Sequence, residues 1–403
     1  MEPAESSSSF TVSSKSDPVF HRPDCRWAQN VSGDNRLGHK TRDEALRTGK
    51  GPCKSGKPQT WHREKDDGVT TRERVLTALK HRQPDTVPYD IRFTVPARAT
   101  MADYYGDPDF ESKLGNCFTW LRPHPHDGRF TEVAPDIWQD EFGVNWDRHI
   151  DKDIGVVCNR LITAENVASF QFPNPNDPGR YELFDEGIVS RGDTAVLVSL
   201  GFSLFERAWT LAGMENVLMA MVADKKFAHT LLDRILEFNL AIIENACAHD
   251  VDIFRFGDDW GHQRGVLMGP ELWHEFIEPQ FRQMCGLVKS KGKSTMLHCC
   301  GKVDELFPSL IECGLDIFNP FQPEVMDVFE IKRRYGNDLA FYGGISIQRT
   351  LPFGTVQQVR DEVKRLIDVV GESGGYIASP SHDIPRDAKP ANIAAMIEVL
   401  QNQ

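Results

Sequence analysis

The chain has 403 residues, of which 40% are hydrophobic and 26% are charged, so it can bury one large core or two to three smaller ones. With 46 Lys and Arg against 59 Asp and Glu, its formal net charge is −13, which argues against binding to nucleic acid or to an anionic membrane. No apolar run approaches the roughly 20 residues of a bilayer span, and residues 1–10 do not resemble a secretory signal. The sequence therefore predicts a cytoplasmic protein without membrane segments.

The nine cysteines are few for this length, and their number is odd. Two of them, Cys299 and Cys300, are adjacent in the chain. We therefore expect reduced thiols in the cytosol, for which metal binding or simple burial is a better explanation than disulfide formation.

Composition divides the chain into four segments. Residues 1–16 are Ser-rich and predict a disordered leader, residues 17–58 a small compact module, and residues 59–69 a polar linker. Residues 70–403 form the large domain. Residues 1–66 hold 12 Lys and Arg against 9 Asp and Glu, so the acidic excess lies entirely in the large domain.

The large domain begins with a helix signal, in which Thr70 is the N-cap and Glu73 completes a capping box. A short strand at 87–93 follows, and residues 94–190 are hard to interpret apart from a hairpin at 137–146. Short apolar runs then alternate with helical patterns. The predicted strands are 195–202, 252–256, 294–300, 316–320, 339–343 and 376–379, and the predicted helices lie within 214–249, 270–290, 303–313, 324–335, 356–370 and 390–400.

This alternation is typical of βα units and a parallel sheet. Six or more units in about 210 residues, with an earlier strand, favour an α/β fold of the (β/α)8 TIM-like barrel type. An open, doubly wound parallel sheet is the alternative.

In such a barrel the active site lies at the carboxyl ends of the strands. The polar residues at these ends are Asp258, Asp259, His262, His298, Cys299, Cys300, Asn319, Gln322, Ser346, Gln348, Ser381, His382 and Asp383. No G-x-G-x-x-G, P-loop or G-x-S-x-G motif is present, which leaves nucleotide-binding and serine-hydrolase functions without support.

The pair His298 and Cys300 is the most informative of these. Alternate residues of a strand share a face, so both side chains would point into the barrel mouth while Cys299 points to the helices. Nitrogen and thiolate ligands suit Zn²⁺, and His382 at the last strand end would complete three ligands with an open fourth position, as in catalytic zinc sites. The alternative is a His and a Cys packed under a loop.

The sequence leaves alternative roles open for two further groups of residues. Asp258 is predicted either to contact substrate or handle a proton, or to cap a helix, whereas Asp259 is predicted to be a solvated turn carboxylate or a cap. In the small module, His21, Cys25 and Cys53 supply three possible ligands where structural zinc normally takes four. His39 or His62 could be the fourth, so metal binding there stays open.

The large domain resembles the uroporphyrinogen decarboxylase superfamily, which includes cobamide-dependent methyltransferases. The resemblance covers about residues 70 to 402. It rests on five runs: Thr71-Arg72-Glu73-Arg74-Val75, Pro84-Asp85-Thr86-Val87-Pro88, His298-Cys299-Cys300-Gly301, Gly343-Gly344-Ile345-Ser346-Ile347-Gln348 through Thr355, and Gly374-Gly375-Tyr376 through Ser381-His382-Asp383-Ile384. The resemblance implies a (β/α)8 barrel.

The two branches of the superfamily differ in their site residues. The decarboxylases bind porphyrinogen carboxylates with an Arg-rich segment, of which Arg92 and Arg98 remain here, while Trp209 replaces a Tyr of those enzymes and His382 matches a His. The methyltransferases carry His-x-Cys as zinc ligands, matched by His298 and Cys300, with a Cys as third ligand near His382. That branch implies zinc, a methyl-corrinoid co-substrate on a partner protein, and a small-molecule thiol.

The segment from His21 to Pro58 resembles the small metal-binding domain of the Ada family, although Gly56 stands where that domain has a Cys. The leading hypothesis is zinc-dependent methyl transfer with His298, Cys300 and His382 as ligands and Asp258 orienting substrate or handling a proton. The alternatives are porphyrinogen decarboxylation using Arg92, Arg98 and His382, and a non-enzymatic nucleic-acid-binding or scaffolding role. The sequence does not fix an oligomeric state.

Overall fold

A computed structural model of the chain describes residues 68–124 and 130–403, together with four short strands near the amino terminus. The chain separates into two compact units, Met1–Arg63 and Glu64–Gln403. Among the described residues, no helix is long and apolar enough to cross a bilayer.

In the first unit, Thr11–Ser14 pairs antiparallel with both Val19–His21 and Arg36–His39, and Gly51–Pro52 pairs parallel with Val19–His21. Thr11–Ser14 is thus a strand inside the segment that composition predicts to be a disordered leader. The side chain of His21, together with Cys25 and Cys53, lies outside the described residues, as does most of the predicted linker.

The second unit is built on a sheet of seven strands whose neighbours are all parallel. These strands are Phe118–Leu121, Ala195–Leu200, Ile253–Gly257, Ser294–His298, Ile317–Phe321, Ala340–Ile345 and Tyr376–Pro380. The α-helices are Thr71–Leu79, Val95–Tyr105, Phe184–Ser190, Phe205–Ala212, Met214–Ala223, Lys225–Ala246, Pro270–Phe276, Glu278–Ser290, Phe307–Glu312, Val328–Tyr335, Thr350–Phe353, Val356–Arg365 and Pro390–Gln401. Shorter helical turns are Phe110–Lys113, Pro178–Arg180, Asp304–Leu306 and Leu366–Val370.

The segment around Tyr89 closes this sheet into a barrel. Tyr89 forms a parallel bridge with Ala378 of the last strand, and its carbonyl oxygen accepts a hydrogen bond from Cys117 N–H, just before the first strand, at 2.9 Å. The barrel prediction is therefore confirmed, and the open sheet is not the fold. The predicted strand 87–93 makes only isolated bridges, at Tyr89 and Phe93, and part of its backbone pairs with the Asn116 side chain. The amide of Asn116 pairs with Ile91 N–H and C=O, both at 2.9 Å.

Inward-facing side chains form two layers inside the barrel. The lower layer is apolar and fully packed; it includes Phe118, Leu197, Ile253, Met296, Ile317, Ala340 and Ile377. One step nearer the carboxyl ends, the alternation of the strands places Trp120, Ser199, Arg255, His298 and Asn319 on the same inner face. The barrel thus has an apolar floor beneath a polar layer at its mouth.

The boundaries of two predicted helices can be compared with the structure. The predicted helix 270–290 is interrupted at Ile277, since Pro279 lies in the first turn of a second helix and supplies no backbone donor there. The capping box at the first helix is confirmed: Glu73 N–H donates to Thr70 Oγ1 at 3.1 Å, and Thr70 N–H donates to Glu73 Oε2 at 2.7 Å.

The predicted hairpin 137–146 belongs to a four-stranded antiparallel sheet in which Trp138 pairs with Trp146. Its strands are Phe130–Ala134, Ile137–Asp140, Asn145–Asp147 and Val156–Val157. The Trp146 ring lies 5.1 Å from that of Phe202, just after a barrel strand ends. This small sheet therefore packs at the carboxyl end of the barrel. A two-stranded ribbon, Gly261–His262 with Gly265–Val266, lies after another barrel strand.

Candidate metal centre

His298 is the last residue of its strand and is held in one orientation. Its Nδ1 lies 2.6 Å from Asn319 Oδ1, and Asn319 Nδ2 donates to the Tyr342 carbonyl at 3.0 Å. Because the second bond fixes Oδ1 as the acceptor, Nδ1 carries the proton and Nε2 keeps its lone pair. Burial lowers the pKa of His298 well below its usual value, so the ring is neutral.

Cys300 lies beyond the end of the strand, two residues later than His298. Gly301, with φ of +90°, turns the chain so tightly against Gly261 that a Cβ atom would lie 2.5 Å from the Gly261 carbonyl carbon. Cys300 N–H donates to Asp259 Oδ1 at 2.8 Å. The loop thereby brings Cys300 Sγ to 3.5 Å from His298 Nε2. Burial, followed by the Asp259 charge, raises the pKa of the thiol, so it is protonated in the absence of a cation.

Cys299 takes no part in this arrangement. Its side chain is fully buried, and its sulfur accepts a hydrogen bond from Trp260 N–H at 3.2 Å. The sulfur thus faces the outer packing layer, in keeping with the alternation expected from the sequence.

His382 follows the last strand, Tyr376–Pro380, and lies close to His298. Its ring centroid lies 5.3 Å from that of His298, and Asp383 N–H donates to His382 Nδ1 at 2.8 Å. One potential ligand atom each of His298, Cys300 and His382 lies within 4.8 Å of the others. The structure therefore brings these three predicted residues together.

The donor set fits zinc in its chemistry. Two imidazoles and one thiol are the ligands that Zn²⁺ prefers, and three protein ligands leave a fourth position for a substrate. His298 already presents a lone pair at Nε2. His382, in contrast, would lose its bond from Asp383 N–H, because coordination through Nδ1 competes for that lone pair and coordination through Nε2 places a proton on Nδ1.

Asp258 is fully buried and caps a helix. Its Oδ1 accepts Leu204 N–H at 3.1 Å and Glu206 N–H at 2.7 Å, and its Oδ2 accepts Phe205 N–H at 3.0 Å. Trp260 Nε1–H also donates to Oδ2. Although burial raises the pKa of Asp258 to about 6, both oxygens are engaged within the protein.

The prediction of a solvated carboxylate is wrong for Asp259. The group lies against the Cys300 backbone, and burial raises its pKa. The prediction failed because the turn that carries Asp259 lies under the Cys300 loop and does not extend into solvent.

The other predicted substrate residues are dispersed. Arg92 Nε donates to Asp383 Oδ1 at 3.1 Å, so it lies beside His382. Arg98 is exposed on the helix Val95–Tyr105 and pairs with Glu111 at 2.6 Å. Trp209 lies on the helix Phe205–Ala212, with its ring 6.5 Å from that of Phe202. Only Arg92 joins the residues around the three candidate ligands.

Sequence reasoning did not identify Arg255, which faces the barrel interior and donates to Ser199 Oγ at 2.8 Å. An arginine between Phe254 and Phe256, in an otherwise apolar buried strand, is the signal that could have revealed it.

Comparisons with known proteins agree on one family. A family profile described as uroporphyrinogen decarboxylase (URO-D) matches residues 140–403. A methylated-thiol–coenzyme M methyltransferase of Methanosarcina mazei is 27% identical over 175 residues, which are 42% of this chain and 46% of that protein. A methylcobamide:CoM methyltransferase of Methanosarcina barkeri is 27% identical over 131 residues, 32% of this chain and 36% of that protein.

A uroporphyrinogen decarboxylase of Coxiella burnetii is 23% identical over 279 residues, 65% of this chain and 73% of that protein. In contrast, the matches to the two methyltransferases span less than half the length of those proteins. A solved structure of a methyltransferase from Methanosarcina mazei has a TM-score of 0.63 at 17% identity, covering 83% of this chain and 99% of that chain, which supports the barrel fold. Since the family profile covers well over half of the sequence, the chain belongs to the uroporphyrinogen decarboxylase family of enzymes.

Proposed function

We propose that the chain is a zinc-dependent methyltransferase, which transfers a methyl group from a methyl-corrinoid on a partner protein to a small-molecule thiol. The observation that carries the proposal is the convergence of His298, Cys300 and His382 within 4.8 Å. Two relatives support this reaction class: the methylated-thiol–coenzyme M methyltransferase of Methanosarcina mazei and the methylcobamide:CoM methyltransferase of Methanosarcina barkeri.

In this proposal, zinc would supply the Lewis acidity that keeps a substrate thiol deprotonated at neutral pH. The thiolate sulfur then forms a bond to the methyl carbon, while the carbon–cobalt bond breaks and its electron pair stays with the corrinoid. The thiol proton leaves to solvent.

The residues of the chain prepare this site before substrate arrives. Asn319 holds His298 in the tautomer that offers Nε2, and Asp259 fixes the backbone of Cys300. Cys300 itself gives up its proton when it becomes a ligand. We assign Asp258 a structural role, because its oxygens are already engaged at the helix start and at Trp260. This replaces the proton-handling role expected from the sequence.

Metal analysis of the full chain tests the proposal. Cys25 and Cys53 are first replaced by Ser in every sample, so that the amino-terminal thiols do not contribute. We expect one zinc per chain in this background and in a Cys158→Ser control, whose thiol is exposed, and loss of zinc in Cys300→Ser. Methyl transfer from free methylcobalamin to a thiol should disappear with the metal. Unchanged zinc in Cys300→Ser would overturn the proposal.

Porphyrinogen decarboxylation is the second candidate function. It is favoured by the Coxiella burnetii decarboxylase, whose sequence match covers more of both chains than the sequence matches to the two methyltransferases do, and by Arg92, which lies beside the His382 segment. Metal-free protein incubated with uroporphyrinogen would then form coproporphyrinogen, and an Arg92→Met variant would not.

A further inference from the structure

Two adjacent thiols lie at the end of one barrel strand, but only one of them faces the candidate metal centre. Cys299 is fully buried in the outer packing layer, whereas Cys300 is half-buried, with its Sγ 3.5 Å from His298 Nε2. The two side chains are chemically identical, so the conformation of the backbone decides which sulfur reaches the mouth. Some part of the structure must therefore hold this backbone in one orientation.

The loop that follows the strand Ile253–Gly257 holds it. This loop, Asp258–Trp260, which we call the anchor loop, makes one hydrogen bond from each of its residues to the end of the neighbouring strand. The bonds are Asp258 N–H to the His298 carbonyl at 2.9 Å, Cys300 N–H to Asp259 Oδ1 at 2.8 Å, and Trp260 N–H to Cys299 Sγ at 3.2 Å. The anchor loop is thus bonded to two candidate ligands and to the cysteine between them.

Trp260 is the residue of the anchor loop that fixes the position of Cys299. Its backbone N–H donates to Cys299 Sγ, and its indole Nε1–H donates to Asp258 Oδ2. Its side chain is fully buried, and its ring lies 5.4 Å from that of Trp273 and 5.5 Å from that of Phe281. Close packing of this kind leaves a ring few alternative positions. The indole therefore holds the backbone N–H that bonds Cys299.

Asp258, the partner of the indole, is held in turn by a helix. Its two oxygens accept three backbone N–H groups at the start of the helix Phe205–Ala212, at 2.7–3.1 Å. Hydrogen bonds to a carboxylate are among the strongest in proteins, and fully satisfied buried networks are rigid. A continuous network therefore connects the helix start, through Asp258 and Trp260, to the sulfur of Cys299.

We propose that Trp260 is a positioning residue for the candidate metal centre. It retains the Cys299 sulfur in the outer layer and thereby leaves Cys300 as the thiol that faces His298. Cys299 is a structural hydrogen-bond acceptor in this proposal and not a second ligand. The inference concerns the metal-free chain, and it rests on the proposed function only for its effect on zinc affinity.

Alkylation of the metal-free full chain with iodoacetamide tests the inference. Mass spectrometry of fragment ions measures each cysteine separately, and the fully buried Cys285, on the helix Glu278–Ser290, reports any general loosening of the barrel. Trp260→Phe removes the indole N–H, and the loss of one buried hydrogen bond changes an opening equilibrium about tenfold. We expect Cys299 to be alkylated faster than in the wild type by about this factor, with the Cys285 rate unchanged.

The matched control is Trp273→Phe. Trp273 is also fully buried and packs against Trp260, but its indole N–H has no hydrogen-bond partner among the described residues. This variant should leave the Cys299 rate unchanged. A Cys299 rate that stays the same in Trp260→Phe, or that rises equally in Trp273→Phe, would overturn the inference.

Cys299→Ala decides the question if Trp260→Phe does not fold or if its Cys285 rate rises as well. This variant deletes only the sulfur that accepts Trp260 N–H. Without that bond, we expect Cys300 to be alkylated about threefold faster or more in the metal-free chain. Cys285→Ala, at another fully buried cysteine, should leave the Cys300 rate unchanged. An unchanged Cys300 rate in Cys299→Ala would overturn the inference.

The failure of this inference and the failure of the proposed function give different results. The alkylated samples contain no zinc, and zinc affinity is measured separately by competition with a chelator. We expect Trp260→Phe to bind zinc about tenfold more weakly than Trp273→Phe does; equal affinities would contradict the positioning role. A wild type without zinc, beside faster alkylation of Cys299 in Trp260→Phe alone, rejects the metal proposal alone. One zinc per chain beside an unchanged Cys299 rate rejects the positioning role alone.

Discussion

At the scale of single residues, the three candidate ligands are not equivalent. His298 has its free nitrogen already directed at Cys300, and Asn319 holds it there. His382 is exposed and accepts a backbone N–H that metal binding would displace. A displaced hydrogen bond costs about 1 kcal/mol, which is roughly a fivefold loss of affinity.

We therefore expect His382→Ala to weaken zinc binding less than His298→Ala does. In His298→Ala, zinc should be lost from the barrel entirely, whereas His382→Ala should retain it with an affinity reduced about ten- to a hundredfold. Competition with a chromophoric chelator measures both values. Equal loss in the two variants would contradict this ranking.

Asp90 provides a pH-dependent prediction. It is fully buried, and Tyr342 O–H donates to its Oδ2 at 2.8 Å. Burial raises its pKa to about 6, so the folded chain holds this proton more tightly than the unfolded chain does. Wild-type stability should therefore fall as the pH rises from about 4 to about 6.

Asp90→Asn removes this titration while keeping the shape of the side chain. Relative to the wild type, we expect the variant to gain up to about 3 kcal/mol in free energy of unfolding between pH 4 and pH 7. Urea unfolding at the two pH values measures the difference. A difference that is independent of pH would show that burial does not disfavour the Asp90 carboxylate.

At the scale of elements, strong local sequence patterns predicted the strands and helices correctly. The βα alternation after residue 195 predicted six strands, and the structure has all six, with ends shifted by at most two residues. Apart from the hairpin at 137–146, residues 94–190 were not predictable, because their short strands are stabilised by distant contacts such as Trp146 with Phe202. The candidate metal centre also depends on such distant contacts. We expected Cys300 to belong to its strand, but the strand ends at His298, and the contact of Gly301 with Gly261 determines the position of Cys300.

The helix Val356–Arg365 gives a direct test of a local signal. Gln358 N–H donates to Thr355 Oγ1 at 3.2 Å, and Thr355 N–H donates to Gln358 Oε1 at 2.8 Å. Thr355→Ala removes the cap and should lower the free energy of unfolding by about 1 kcal/mol, whereas Thr355→Ser should be close to neutral. The midpoints of urea unfolding of the wild type, Thr355→Ala and Thr355→Ser measure these differences. An alanine variant as stable as the serine variant would refute the capping role of Thr355.

At the scale of the whole molecule, isolated backbone bridges at Tyr89 and Phe93 close the barrel instead of a regular strand, and the Asn116 side chain adds two hydrogen bonds to them. The fold class was predictable from the number of βα units, but the Asn116 contact was not, because Asn116 lies in a stretch without a strand pattern. The contacts of Asn319 with His298 and of Arg255 with Ser199 were hidden for a related reason. Each depends on the register between neighbouring strands, which a single sequence does not show.

Asn116→Ala tests this closure. It would leave the buried N–H and C=O of Ile91 without their partner, which should cost about 2–4 kcal/mol of unfolding free energy. Asn116→Asp should recover part of this loss, since it still accepts from Ile91 N–H. Hydrogen exchange at Ile91 should accelerate in the alanine variant; unchanged exchange would mean that closure does not depend on Asn116.

In our proposal, His298, Cys300 and His382 bind one zinc ion. X-ray absorption at the zinc edge, measured on the full chain with Cys25 and Cys53 replaced by Ser, identifies the ligand atoms. We predict one sulfur at about 2.3 Å and two imidazole nitrogens at about 2.0–2.1 Å, with the sulfur signal lost in Cys300→Ser. A spectrum without sulfur, or one whose sulfur signal survives in Cys300→Ser, would contradict zinc binding by these three residues.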